Sequence, residues 1–266
     1  MSDSTAIQQA AERLLSASSA GVPCAPVREL IGESDIEAAY AVQERLTAAR
    51  LATGATIVGR KIGLTSKAVQ AQIGVGQPDF GVLFDDMGYA ETETVPMSRL
   101  IQPKAEAEVA FVLKEDLADE GKIDVARVRA AIDYAVAALE IVDSRVADWN
   151  IRFGDTVADN ASSGLYVLGS ERRTLDEVEP VEVQMSMTLN GEPASTGNGA
   201  ACLGDPLNAV AWLATTARDF GEPLRAGQVI LSGALGPMVT VTHGDVVTAQ
   251  ISGLGSVTAR FSTEGE

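Results

Sequence analysis

The sequence predicts an α+β fold, with helices gathered at the N-terminal end and strands dominating after residue 95. Three observations carry this. The first fifty residues hold two stretches of helical periodicity, residues 101–114 (IQPKAEAEVAFVLK) alternate with the period of a strand, and the last forty residues are short β segments punctuated by glycine. At 266 residues the chain can bury a substantial core. The division expected is a helical cap region, 1–75, and a barrel-like or rolled mixed sheet, 76–266, acting as one continuous unit.

In chain order, Ser4 to Ser19 place Ile7, Ala11, Leu14 and Leu15 on one side of a helix. Ser34-Asp-Ile-Glu37 reads as a capping box for a second helix to about Leu51, closed by Thr53-Gly54. ATIVGRKIGL, 55–64, reads as a strand. Arg60 and Lys61 are adjacent there and so point to opposite faces, one solvated and the other inward. Thr65 or Ser66 then caps a short helix ending at Gly74, and Pro78 and Gly81 place Asp79 on a loop.

In the central strand, Ala105, Ala107, Val109, Phe111 and Leu113 share one face, while Lys104, Glu106 and Glu108 share the other. The two carboxylates stand roughly 7 Å apart along the backbone. A helix from Val125 to about Ala138 follows, then a short strand 139–142 carrying Glu140, then a long polar loop, SRVADWNIRFGDTVADNASSG. Uncovered loops of that length usually carry function. Leu165 to Leu168 is a strand, Val181 to Leu189 alternates up to an Asn190-Gly191 hairpin turn, and Asp205-Pro206 opens a helix to about Asp219. GQVILSG, ALGPMVTV, GDVVTAQI and GSVTARFS complete the β segments.

Composition narrows the chemistry. A net charge of −17 argues against nucleic acid and gives no encouragement to an anionic membrane surface. No apolar run reaches the ~18–20 residues of a membrane span. The first residues are polar and helical, so no secretory signal is expected and a cytoplasmic location is. Cys24 and Cys202 have no CxxC spacing, and His243, in a turn before Gly244-Asp245, is the single histidine. Ser-His-Asp and Cys-His systems would all have to use that one residue, and zinc sites built from His and Cys are nearly excluded for want of ligands. What remains is carboxylate, Lys, Ser/Thr and backbone chemistry, with or without a hard cation.

Four constellations qualify. Glu106, Glu108 and Glu140 are either a solvated strand face or the oxygen ligands of a divalent ion, which would remove their mutual repulsion. Lys61 is either an edge-strand lysine or a proton donor to an enolate oxygen. Asp79 is a turn-former, a proton relay, or both. Asn160, Ser162 and Ser163 in ADNASSG offer donors to a carboxylate.

Taken together, GRKIGLTSKAVQAQIGVGQPDFGVLF, PKAEAEVAFVL, ALEIVDSRVADWNIRFGDTVADNASSG and GEPLRAGQVILSGALGPMVTVTHGD resemble the 2-keto-4-pentenoate hydratase group of the fumarylacetoacetate hydrolase superfamily. The resemblance spans nearly the whole chain in order. It implies a mixed β-roll or barrel of the C-terminal type of that superfamily, preceded by a helical region. It further implies Mg²⁺ or Mn²⁺ held by Glu106, Glu108 and Glu140, with Lys61 and Asp79 as the acid/base residues. Ser162, Asn160 and Leu64 would contact the substrate. That substrate would be 2-hydroxypenta-2,4-dienoate, hydrated to 4-hydroxy-2-oxopentanoate in the meta-cleavage of aromatic rings. Partners implied are the small-molecule substrate, further copies in a pentamer or decamer, and an aldolase of the same pathway.

Three relatives compete with that reading. The superfamily's hydrolases use a Glu-His pair from an N-terminal part that has no His in this chain. The 4-oxalocrotonate decarboxylases share the KIGLTSK-like and PKxExE-like segments. The 2-oxohept-4-ene-1,7-dioate hydratases need a second carboxylate anchor, for which Arg152 is the candidate. A non-catalytic oxo-acid-binding protein is the alternative from another class.

Overall fold

The computed structural model describes residues 4–67, 70 and 75–265; the expected short helix ending at Gly74 falls largely outside them. Three helices open the chain: α1 (Ser4–Ala20), α2 (Arg28–Ile31) and α3 (Ile36–Ala52). α1 buries Ala10, Ala11, Leu14 and Ala17 and packs on α3. The cap of α3 is Asp35 rather than Ser34, its carboxylate accepting the Ala38 N–H at 3.0 Å.

Thirteen strands follow among the described residues: β1 (Ile57–Gly63), β2 (Asp79–Phe84), β3 (Gly88–Ala90), β4 (Thr94–Val95), β5 (Lys104–Leu113), β6 (Ile132–Val142), β7 (Ser163–Leu168), β8 (Gln184–Leu189), β9 (Glu192–Asn198), β10 (Val229–Ala234), β11 (Val239–Thr240), β12 (Val246–Ile251) and β13 (Gly255–Phe261). The remaining α-helices among the described residues are α4 (Val125–Ala131), α5 (Phe153–Ala158) and α6 (Pro206–Asp219). The larger sheet has the order β2-β1-β10-β5-β6-β7-β3, with β11 also on β5; the smaller runs β4-β13-β12-β8-β9. β1/β10, β3/β7 and β4/β13 are parallel and the other pairs antiparallel, so both sheets are mixed and the architecture is α+β. The residue 75/76 division falls between two paired strands of one sheet, since β1 is bonded to β2.

β5 is the strand its alternation predicts. Ala105, Ala107, Val109, Phe111 and Leu113 are all buried on the core face. Its partner β6 departs from expectation, because the helix predicted to Ala138 stops at Ala131 and the chain runs extended for eleven residues. Ala-rich AVAAL reads as helix by propensity, but ladder pairing to β5 over Lys104–Leu113 decides the outcome. The small side chains let β13 of the second sheet pack closely on β6.

The polar loop after β6 is less open than its composition suggests. It contains α5, all six residues of which are buried, and it is stapled by ion pairs. Arg28 pairs with the buried Asp155, and Arg145 reaches Asp159 at 2.5 Å. The Asn190-Gly191 turn forms as predicted, with φ of 55° and 86°, the left-handed pair of a type I′ hairpin. Asp205 caps α6, with Pro206 at its first position. Cys24 and Cys202 are free thiols, and His243 is exposed. No described helix is long and apolar enough to cross a membrane.

Candidate active site

Register brings the three glutamates together. Glu106 and Glu140 are direct cross-strand partners of β5 and β6, and Glu108 lies two residues along on the same face. One oxygen from each lies within 4.8 Å of the others. Glu108 and Glu140 are buried. Glu108 Oε2 accepts the Gly233 N–H at 2.7 Å, whereas Glu108 Oε1 and Glu140 Oε2 have no hydrogen-bond donor. Buried carboxylate oxygens without donors are costly. A divalent cation fits this donor set, all oxygen and threefold anionic.

Without a cation the cluster resists ionisation. Burial, reinforced by the Glu140 charge, pushes Glu106 up to about 7. The same two causes, with Glu106 added, raise Glu108 well above the usual carboxylate range. A raised carboxylate stabilises the fold below its ordinary pKa, and that contribution is lost as pH rises through the folded value. The thermal midpoint of the metal-free protein is therefore expected to be higher at pH 5 than at pH 8. Saturating Mg²⁺ should lift the pH 8 midpoint more than the pH 5 one, because ligation requires the ionised forms. Differential scanning calorimetry at the two pH values checks this; an equal metal shift at both would remove Glu106 from the ligand set.

Lys61 comes from β1, beside the cluster. Its Nζ lies 3.0 Å from Glu140 Oε1 and donates to the Ala161 carbonyl at 2.9 Å. Burial works against the ammonium, but Glu140, Asp79, Glu106 and Glu108 outweigh it and raise the pKa, so Lys61 is charged. With Lys61 facing inward, strand alternation puts Arg60 on a solvated face. Instead both are buried; Arg60 turns the other way and pairs with Glu222 at 2.6 Å.

Asp79 is the first residue of β2 rather than part of a loop, and it is 1% exposed. It is paired in register with Gly63, where any Cβ would collide with Asp79 Oδ1. The glycine of KIGL thus admits the carboxylate. Asp79 Oδ2 accepts from Thr156 Oγ1 at 3.2 Å, while Oδ1 has no partner. Burial raises the Asp79 pKa, with Lys61 opposing.

Ser162 sits at the end of a left-handed turn in which Asn160, Ala161 and Ser162 have φ of 53°, 52° and 53°. Three non-glycine residues in that region are strained, and the surroundings hold them there. Both ends of the Asn160 amide are spent on backbone, since Oδ1 accepts the Val82 N–H at 2.7 Å and Nδ2 donates to Val82 O at 3.0 Å. Asn160, expected to contact substrate, thus has its side-chain amide engaged with β2. Its amide locks the turn onto β2, and it does not line the cavity. Arg145 braces the same turn through the Asp159 and Ser163 carbonyls at 2.6 and 2.7 Å.

A cavity of about 690 Å³ opens over these groups. Lys61, Leu64, Asp79, Glu106 and Ser162 all line it, and Leu64 itself is left-handed at φ 56°. Thr156 and Trp149 also line it, and neither stands out in the sequence. Trp149 carries the Lys104 ammonium over its ring at 4.3 Å and donates from Nε1 to the Gln102 carbonyl. Arg152 is half exposed, faces Glu33 at 3.5 Å and stands outside the cavity lining, so it offers no anchor for a second carboxylate. The chain leaves β5 at Ala234 and rejoins it at Val239, and the detour Leu235–Met238 forms a further wall.

Comparison with known proteins bears on the same groups. Residues 56–262 match the family described as fumarylacetoacetate (FAA) hydrolase C-terminal. A protein of Pseudomonas putida named "TodF product hydratase" is 55% identical over 97% of this chain and 96% of its own length. A "2-keto-4-pentenoate hydratase" of Paraburkholderia xenovorans is 54% identical, covering 96% of this chain and 95% of its own. Among solved structures, the 4-oxalocrotonate decarboxylase of Pseudomonas putida G7, complexed with magnesium and adipate, superposes with a TM-score of 0.93 at 37% identity, covering 98% of this chain and 99% of that one.

Proposed function

The chain belongs to the fumarylacetoacetate hydrolase family and, within it, to the 2-keto-4-pentenoate hydratases, and from that premise we propose how its cleft adds water to 2-hydroxypenta-2,4-dienoate. The chain is a hydro-lyase of aromatic meta-cleavage catabolism, and its product is 4-hydroxy-2-oxopentanoate. One observation carries the assignment of roles: a charged lysine, a buried aspartate that resists ionisation and Glu106 line one cavity, and behind Glu106 the clustered Glu108 and Glu140 keep oxygens without donors.

Glu106, Glu108 and Glu140 would hold the divalent ion, read as Mg²⁺ or Mn²⁺. When bound, it would supply Lewis-acid stabilisation of the negative charge that develops on the substrate. Lys61, an ammonium, hydrogen-bonds the 2-oxygen as the enol gives up its O–H proton to solvent and becomes a ketone. Asp79, buried and reluctant to ionise, is placed to deliver a proton to C5, which leaves C4 electrophilic. Water, oriented by the Asp79 carboxylate, adds its hydroxyl at C4 and its remaining proton goes to C3; Asp79 is reprotonated from solvent before the next turnover. Ser162 and the backbone at Leu64 seat the substrate. With a net charge of −17, the chain depends on Lys61 and the cation to receive an anion.

The helical region 1–75 and the sheet region 76–266, read as the family's β-roll, work as one unit, because Lys61 comes from the first and Glu106 from the second. A homo-oligomer, pentamer or decamer, belongs to the same reading. Exposed Leu15, Val22 and Leu51 around the N-terminal helices support it, and light scattering at multiples of 27.7 kDa tests it. Two free thiols suit a reducing, cytoplasmic setting, and an aldolase acting on the product is the expected pathway partner.

The 4-oxalocrotonate decarboxylase reading is kept because that structural relative is so similar. The experiment is the loss of dienoate ultraviolet absorbance, with and without Mg²⁺. Metal-dependent loss with the pentadienoate supports hydration. CO₂ release from 2-oxohex-3-enedioate without loss of the pentadienoate would install the decarboxylase. No loss with either would leave an oxo-acid-binding protein.

A further inference from the structure

We propose that Thr156 is a positioning residue whose hydroxyl turns that of Ser162 toward or away from the substrate, according to whether Asp79 carries a proton. The inference rests on the hydratase reading and adds a residue to it. Thr156 is buried on α5 and lines the cavity. Its Oγ1 lies 3.2 Å from Asp79 Oδ2 and 3.3 Å from Ser162 Oγ, so it bridges the two.

A hydroxyl has one proton to give and lone pairs to receive. When Asp79 is a carboxylate it can only accept. Thr156 must then donate to it, and Thr156's lone pairs take the Ser162 proton. Ser162 presents only lone pairs to the cavity and repels a carboxylate there. When Asp79 is protonated on Oδ2 it donates to Thr156, Thr156 donates to Ser162, and the Ser162 proton is released to the cavity, where it can hold an anion. One proton distinguishes the two states: it sits on Asp79 in the gripping state and on substrate carbon in the slack one. Each hydroxyl keeps its own hydrogen and only turns it.

The backbone around Ser162 is fixed, its N–H donating to Asp159 O at 2.9 Å and its carbonyl accepting from Asp143 N–H at 2.8 Å, so the hydroxyl is the part free to move. The charged and titratable groups acting on Asp79 are Lys61 on β1, Tyr40 on α3, Glu106 on β5 and Glu140 on β6. None of them hydrogen-bonds the Thr156 or Ser162 hydroxyl among the described residues. The consequence is a substrate grip that tightens with Asp79 loaded and slackens once its proton is on C5; the slack state lasts through hydration, while Asp79 is a carboxylate, and so into product release.

The test is steady-state kinetics on the pentadienoate with Mg²⁺. Thr156→Val keeps the shape and breaks the bridge, so Ser162 stays free to grip. KM and kcat should both fall, each about fivefold or more, in line with one lost hydrogen bond. Thr156→Ser should stay within about twofold of the unaltered protein on both. In a Ser162→Ala background, Thr156→Val should no longer lower KM. A KM that rises or holds in Thr156→Val, an unchanged effect in the Ser162→Ala background, or Thr156→Ser behaving like Thr156→Val would each overturn the proposal. If the melting curve shows that Thr156→Val does not fold, Thr156→Cys, a weak donor of similar size, carries the same comparison. Absence of turnover by the unaltered protein overturns the hydratase reading itself, and this proposal with it.

Discussion

Glu106→Gln is expected to yield a metal-free protein that melts higher than the unaltered one at pH 8, and an enzyme with almost no Mg²⁺ activation. The two effects have one origin. Glu106 resists ionisation up to about 7, so at pH 8 the metal-free fold carries a charge that burial and Glu140 both oppose. Glutamine keeps the shape and removes that charge. At pH 5 Glu106 is already protonated, and the stability difference should close. The loss falls on the cation, which gives up one of three anionic ligands. Outer-shell partners of metal ligands are worth about 10–100-fold in affinity, so deleting a ligand charge should weaken binding by at least about 100-fold. Calorimetric titration with Mg²⁺ reads the affinity and a melting curve reads the stability. Unchanged Mg²⁺ affinity would remove Glu106 from the metal site, and an unchanged melting point would mean its charge is already solvated.

Lys61→Met should separate chemistry from metal binding. Lys61 is the only cation that contacts Glu140 among the described residues, and it also acts on Asp79, Glu106 and Glu108. Removing its charge takes away the donor proposed for the substrate 2-oxygen, and kcat should fall by about 10²–10⁴-fold, the usual range for a positioned acid or base. Mg²⁺ affinity should hold or rise, because a positive charge leaves the neighbourhood of a cation site. The Ala161 carbonyl loses its donor, a local cost of about 1–3 kcal/mol that should appear as modest destabilisation. A parallel fall of metal affinity and kcat would show that Lys61 holds the triad in shape rather than acting on substrate.

Much of this site can be read along the chain, and the unreadable parts have physical reasons. The Glu106/Glu108 pair is legible because a strand's period of two fixes which side chains share a face. Glu140 is legible as a residue, but its strand is eleven residues long rather than four, since an Ala-rich stretch reads as helix until β5 is there to pair with it. Asp79 reads as a turn residue because Pro78 and Gly81 signal turns. Gly63 and Gly81, packed against Asp79 and the Asn160–Ser163 turn, instead give β2 room to lie flat beside β1. The bonding of Asn160 is unreadable for a related reason: an amide in a polar loop gives no sign that it spends both its groups on the Val82 backbone. Thr156 gives no signal, because nothing in DTVADN announces that a short helix will bring it between Asp79 and Ser162.

The placement of β1 has a consequence for how the protein is made. β1 is bonded in parallel to β10, whose residues come about 170 positions later, and the Gly233 amide that holds Glu108 belongs to that same strand. During synthesis, β5 and β6 can pair as soon as both have left the ribosome, so the three glutamates meet early. Lys61 and Glu108 reach their final settings only when Val229–Ala234 inserts between β1 and β5. A nascent chain stalled before residue 229 carries the acidic cluster without the strand that completes it. A product truncated before residue 229 lacks the strand between β1 and β5 and the Gly233 amide on Glu108, and is expected to be inactive.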